Sequence, residues 1–242
     1  MTKQKLLLLF IAISTILNST KAQSYTIESF EGVKTKIHVT ETSSWYQLAV
    51  SCLTDTLFLN DYAGIKQIHV LKGKFLEIVY DGRGGTGSDV SNTIILSVNK
   101  NKINVSMLVY SFAKWFAVDV DENLYTLKFN LTGNNKSDYK LIINVHNQQK
   151  SSDHPKLNYN KYEQVILNYD PNQNIFYSSH KSITHSFTIN APKMQQPEKR
   201  DINETLPIIF FGKNDIYYFI KGEWYHLGDY DTLYGEYYKN HL

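Results

Sequence analysis

Apolar side chains recur at every second position through much of this chain, a spacing that gathers them on one face of an extended strand. Tyr125, Leu127, Phe129 and Leu131 share one face, while Thr126, Lys128 and Asn130 take the other. Tyr139, Leu141, Ile143 and Val145 repeat the pattern, as do Ile103, Val105, Met107 and Val109, and Ile183, His185, Phe187 and Ile189. Tyr46, Leu48, Val50 and Cys52 make a further face. Between the runs sit turn clusters: Lys72-Gly73, Asn99 to Lys102, Gly133 to Asn135, Asp170-Pro171-Asn172, Gly212 to Asp215 and Lys221-Gly222. Strand, tight turn, strand is the mark of hairpins. About a dozen strands at this spacing predict an all-β fold, an antiparallel meander forming a β-sandwich or barrel-like domain. Little helix is expected beyond the N-terminal segment; Ser111 to Val120, with Phe112, Trp115 and Phe116, suits a strand or loop as well as a helical turn.

That N-terminal segment, residues 1–22, reads as a cleavable signal peptide. Lys3 and Lys5 precede the apolar stretch Leu6 to Leu17, and Thr20-Lys21-Ala22 places small residues where a signal peptidase inspects them. The stretch is shorter than the roughly 20 residues that span a bilayer. The only cysteine, Cys52, is far from the cut, which argues against a lipid anchor. Cleavage removes Lys3, Lys5 and Lys21 and no acid, so 22 basic residues face 23 acidic ones and the mature net charge is −1. Such a balance offers no electrostatic footprint for nucleic acid. No later stretch is apolar enough to span a membrane as a helix. The expected destination is secreted or periplasmic, and the abundance of Asn, Lys, Ile and Tyr suggests an AT-rich bacterial source.

Residues 23–242 are expected to form a single β-rich domain, because either half alone would leave a sheet with an uncovered apolar face. A subdivision would fall near residues 147–161. Asn147 to Lys161 and Ala191 to Thr205, both polar and proline-containing, are expected to be long exposed connections. One cysteine permits no internal disulfide.

Candidate sites are few. Asp81-Gly82-Arg83-Gly84-Gly85-Thr86-Gly87-Ser88-Asp89 is a glycine-rich loop between two strands. Glycine allows close backbone approach, and Arg83 is suited to clamp a carboxylate or phosphate. The loop lacks the Gly-Lys-Ser/Thr of a phosphate loop. Asp119-Val120-Asp121-Glu122-Asn123 opens like a calcium loop, but Leu124 and Asn130 stand where the glycine and the closing acid belong. His180 and His185 would face opposite sides of one strand, and His38 and His69 are expected to point to solvent. Cys52 is expected to be buried and inert. Aromatic residues crowd the C-terminus, where Trp224, Tyr225 and Tyr234 could stack on sugars or protein partners. Trp224 also fits an ordinary hairpin about Lys221-Gly222. No motif for a metal or other cofactor is present, so none is expected.

With no catalytic constellation legible, the expectation is a non-enzymatic binding or envelope-associated protein. Its ligand, protein or glycan, would be met by Arg83, Gly84, Gly85, Trp224, Tyr225 and Tyr234. A secreted, carbohydrate-active hydrolase is the alternative, since paired carboxylates leave no short motif. A weaker alternative is an inhibitor of a secreted enzyme that projects the Arg83 loop.

Overall fold

A computed structural model of the chain describes residues 22–42, 46–60, 62–83, 88–117, 120–171, 174–178, 208–211, 215–220 and 223–229. The expected strand Ile183–Ile189, His180, the Ala191–Thr205 connection, Gly84, Gly85, Tyr234 and nearly all of the N-terminal segment lie outside these residues. The described chain is almost entirely β-strand and antiparallel throughout. Its strands are β1 (Ala22–Glu28), β2 (Lys34–Glu41), β3 (Leu48–Cys52), β4 (Asp55–Leu59), β5 (Tyr62–Leu71), β6 (Phe75–Gly82), β7 (Ser88–Asn99) and β8 (Lys102–Ala117). They continue as β9 (Val120–Thr132), β10 (Lys140–Lys150), β11 (Tyr159–Asp170), β12 (Ile175–Ser178), β13 (Ile208–Phe211), β14 (Asp215–Ile220) and β15 (Glu223–Asp229). Among the described residues the only helix is a single 3₁₀ turn at Pro155–Leu157.

Three meanders follow chain order: a four-stranded sheet β1-β2-β3-β4, an eight-stranded sheet from β5 to β12, and a three-stranded sheet β13-β14-β15. The turns account for the connectivity. Lys100 and Asn101 both adopt left-handed backbone (φ 49° and 62°), the paired positive φ that lets a two-residue loop join twisted strands. Lys72 and Gly73 do the same between β5 and β6 (φ 52° and 68°).

The middle of the large sheet is buried on both faces. Phe75 to Ile78 of β6 and Thr93 to Val98 of β7 are buried without interruption. That is why Ile94-Ile95-Leu96 reads as a continuous apolar run rather than an alternation. One face meets the four-stranded sheet, where Ile27, Ile37, Val39, Leu48, Val50 and Leu59 pack on Leu76, Ile78, Ile94, Leu96 and Val98. The other face is covered by the sheet's own far half. Strands β9 to β12 roll back, so that Leu127, Leu141, Ile143, Val145, Val165, Leu167 and Phe176 share a second core with Phe75, Ile95, Met107 and Val109. The molecule is therefore a sandwich in which one layer curls into a barrel-like roll.

Phe75 sits where the roll closes, with Phe30, Tyr139, Tyr169 and Phe176 around its ring at centroid distances of 5.1 to 5.8 Å. Phe30 comes from the loop after β1, so the small sheet contributes to both cores. Lys74 fastens the two sheets: its ammonium donates to Glu28 at 2.7 Å and to the Ser29 carbonyl at 3.0 Å. That ammonium holds the Glu28 carboxyl below its usual range.

Three expectations need correction. Ile103, Val105, Met107 and Val109 do not share one face: the ladder skips Ser106 between Ile95↔Met107 and Leu96↔Val105, so Ile103 and Val105 pack on the core shared with the small sheet and Met107 and Val109 on the other. Tyr46 leaves the face it was expected to share with Leu48, Val50 and Cys52: it adopts φ 67° and stands half-exposed ahead of β3. Asn147 to Lys161 is not a long exposed connection. β10 runs on to Lys150, β11 restarts at Tyr159, and the two pair from Lys140↔Asn168 to Gln149↔Tyr159. Asn147, Gln149 and Ser151 are buried, continuing the inward positions of Leu141, Ile143 and Val145 with polar side chains. The alternation persists there, but polarity hides it from a hydrophobic count.

Candidate functional site

The Arg83 region forms a solvent-open cleft of about 580 Å³ at one end of the β5–β8 hairpins. Its lining is Ala63 and Lys66 of β5, Asp81 and Gly82 of β6, Arg83, Ser88 to Val90 of β7, and Phe112 of β8. Three ladder irregularities cluster here. On β5 the register passes from Tyr62↔Gly82 to Gly64↔Asp81, and from Ile65↔Tyr80 to Gln67↔Val79, leaving Ala63 and Lys66 as extra residues. On β8 the pairing skips Ser111, between Ser91↔Phe112 and Asn92↔Tyr110. A bulge turns a side chain out of its regular direction, and such features gather beside sites.

The bulged Lys66 places its ammonium 2.7 Å from Asp81 and 2.8 Å from the Ser91 hydroxyl, which in turn donates to Asp81 at 2.9 Å. The closed triangle satisfies the hydroxyl of the buried Ser91 and neutralises Asp81. Lys66 also lies 5.1 Å from the centre of the Phe112 ring.

Arg83 is placed differently. Its guanidinium carbon lies 3.7 Å from the centre of the Tyr46 ring. A cation over an exposed aromatic face contributes about 0.5–1 kcal/mol. Tyr46 holds its left-handed backbone while its carbonyl accepts from the Tyr62 amide at 3.1 Å. That conformation costs a side-chain-bearing residue about 1–2 kcal/mol, and strain of this kind gathers at functional positions. Among the described residues Arg83 makes no ion pair. A guanidinium seated on a ring keeps its N–H edges available for a planar acceptor. Asp89, exposed on the same lining, sets a limit on how much negative charge the cleft can receive.

Other candidates disperse. Cys52 is buried, and its thiol donates to the Asn101 carbonyl at 2.9 Å. His69 contacts Glu77 at 3.1 Å and His38 contacts the Ser24 hydroxyl at 2.9 Å. The acidic stretch after Asp119 does not gather: Asp121 accepts from the Ser152 amide, Glu122 pairs with Lys114 at 2.8 Å, and Asn123 is buried. Among the described residues no three His, Cys, Asp or Glu side chains converge. Trp224 and Tyr225 lie on β15, paired with Phe219 and Tyr218 in the hairpin expected about Lys221-Gly222. No helix among the described residues is long and apolar enough to cross a membrane.

Lys66, Tyr46, Ser91 and Phe112 are site residues that sequence reasoning missed. A bulge has no residue signature in β5, and Tyr46 reaches Arg83 only through the packing of two sheets. Compared with models of protein families, with curated proteins and with solved structures, the chain matches none.

Proposed function

We propose that this chain is an exported, non-enzymatic binding protein whose Arg83 cleft receives a carboxylate of its ligand. The observation that carries this reading is Arg83 itself, seated on Tyr46 without an acidic partner among the described residues, next to a lysine already neutralised by Asp81. Asp89 on the same lining disfavours a dianion, so a carboxylate suits the cleft better than a phosphate. Phe112 and Tyr46 add apolar area for a ring or chain beside that carboxylate. Export is supported by the sequence of the segment Lys3 to Ala22, a basic start, a short apolar stretch and small residues at the expected cut. Titration of the purified protein with benzoate and with inorganic phosphate, followed by NMR, tests the cleft. Benzoate should shift the Arg83 side-chain N–H signal and phosphate should do so less. The absence of any benzoate response, or chemical turnover of a bound carboxylic ester or amide, would overturn the reading.

A further inference from the structure

The outward face of β10 and β11 carries an arrangement separate from the Arg83 cleft. Register pairs Asn144 with Gln164 and His146 with Tyr162 across the two strands. The Tyr162 and His146 rings are parallel within 2°, with centroids 4.4 Å apart. His146 is fixed from its far nitrogen, Nε2, which lies 2.7 Å from the Asn160 side-chain oxygen. Gln164 donates its amide to Asn144 at 2.9 Å. Tyr162 is 71 % exposed even with His146 against one of its faces, and Ile166 beyond it is 47 % exposed. Among the described residues no aromatic ring is more exposed than that of Tyr162, and the stack holds it in one orientation.

We propose that this face binds a neutral glycan. The C–H face of a pyranose stacks on an aromatic ring, and its hydroxyls need groups that both donate and accept. Side-chain amides do both, and Asn144, Asn160 and Gln164 flank Tyr162 on the same face. Each of these amides retains donor and acceptor capacity after its single partner is counted. None of the six side chains is an acid or a permanent cation, which matches an uncharged ligand; Lys128, opposite Asn144 on β9, stands at the margin. From Asn160 to Gln164 the row spans about 13 Å at the rise of an extended strand, enough for a short oligosaccharide. The rings and amides are already oriented, so little conformational entropy is lost when the ligand arrives.

Calorimetric titration of the purified protein with cellohexaose, laminarihexaose and mannohexaose tests the proposal. At least one should bind, Tyr162→Ala should weaken that binding about tenfold or more, as loss of a stacked ring does, and Tyr162→Phe should restore it by keeping the ring. Leu53→Ser, in the exposed β3–β4 turn, should bind as the parent does. Excess benzoate should not displace the sugar, which separates this face from the Arg83 cleft. Failure of all three hexasaccharides to bind, binding that survives Tyr162→Ala, or displacement by benzoate would each overturn the proposal.

Discussion

Phe75 of β6 and Tyr169 of β11 meet edge to face, with centroids 5.1 Å apart and ring planes at 84°. The contact joins two strands of one sheet that are not neighbours in it, so it exists only because the sheet rolls. Phe75→Ala removes the ring that Phe30, Tyr139, Tyr169 and Phe176 surround, and should destabilise the protein by about 3–5 kcal/mol. Urea unfolding measures this. Phe75→Leu should cost less, since part of the volume is kept. A loss under about 1 kcal/mol for Phe75→Ala would show that the roll closes without its central ring.

Tyr169 predicts a pH dependence. Burial pushes its phenol from an ordinary 10.0 up to about 12, and burial also raises Tyr62 and Tyr139. The native state therefore keeps these protons at a pH where the unfolded chain has released them. For Tyr169 the contribution is full below pH 10 and is lost as pH rises from 10 through 12; Tyr62 and Tyr139 add losses of the same sign above pH 10. Melting temperature should fall steeply in that window. For Tyr169 alone the loss is on the order of 2–3 kcal/mol. Tyr169→Phe should flatten that part of the slope while giving up the hydrogen bond to Asn174 at 3.2 Å, so it should be less stable at pH 7 yet lose less on going alkaline.

At the cleft, stability and binding should separate. Tyr46→Gly relieves a left-handed backbone worth about 1–2 kcal/mol and gives up a cation–aromatic contact worth about 0.5–1 kcal/mol. Glycine's greater freedom in the unfolded chain offsets most of the remainder. The melting temperature should hardly change, while the benzoate response of Arg83 should weaken, because the guanidinium loses its seat. Arg83→Lys should weaken benzoate binding further, read from the shifts of the backbone amides lining the cleft, since an ammonium cannot grip a carboxylate with two parallel donors.

Gly133 leaves no room for a side chain. It has φ 90°, and a Cβ there would lie 2.5 Å from the Asp138 carbonyl oxygen. Asp138 organises the β9–β10 turn by accepting from the Asn134 and Asn135 amides at 3.0 and 2.8 Å. Gly133→Ala should thus cost about 2 kcal/mol or more, read from chemical denaturation, by forcing both strain and a backbone clash.

Much of the fold was legible because alternation and turn chemistry are local. Leu141, Ile143 and Val145 declared their face, and Asn99 to Lys102 declared its hairpin. The roll was not legible, because it depends on which sheet covers which: Ile94-Ile95-Leu96 announces burial on both faces without saying what covers them. Asn147 and Gln149 misled for the opposite reason, being polar side chains at inward positions. Of the site, Arg83 stood out through its glycine neighbours. Its partners did not, since Tyr46 is brought by the neighbouring sheet and Lys66 by a bulge. Tyr162 and His146 went unremarked because their stack is a matter of strand register, which no residue type encodes.

The two bulges of β5 have an effect beyond the cleft. β5 is the outermost strand of the eight-stranded sheet, and Ala63 and Lys66 break its ladder twice within its first half. A straight, unbroken rim would invite a second copy to add itself strand by strand. A rim interrupted in this way, with a lysine at one break, presents no continuous row of hydrogen-bonding groups for such growth. The irregularity that aims Lys66 at Asp81 thus also guards this side of the protein against self-assembly into fibrils.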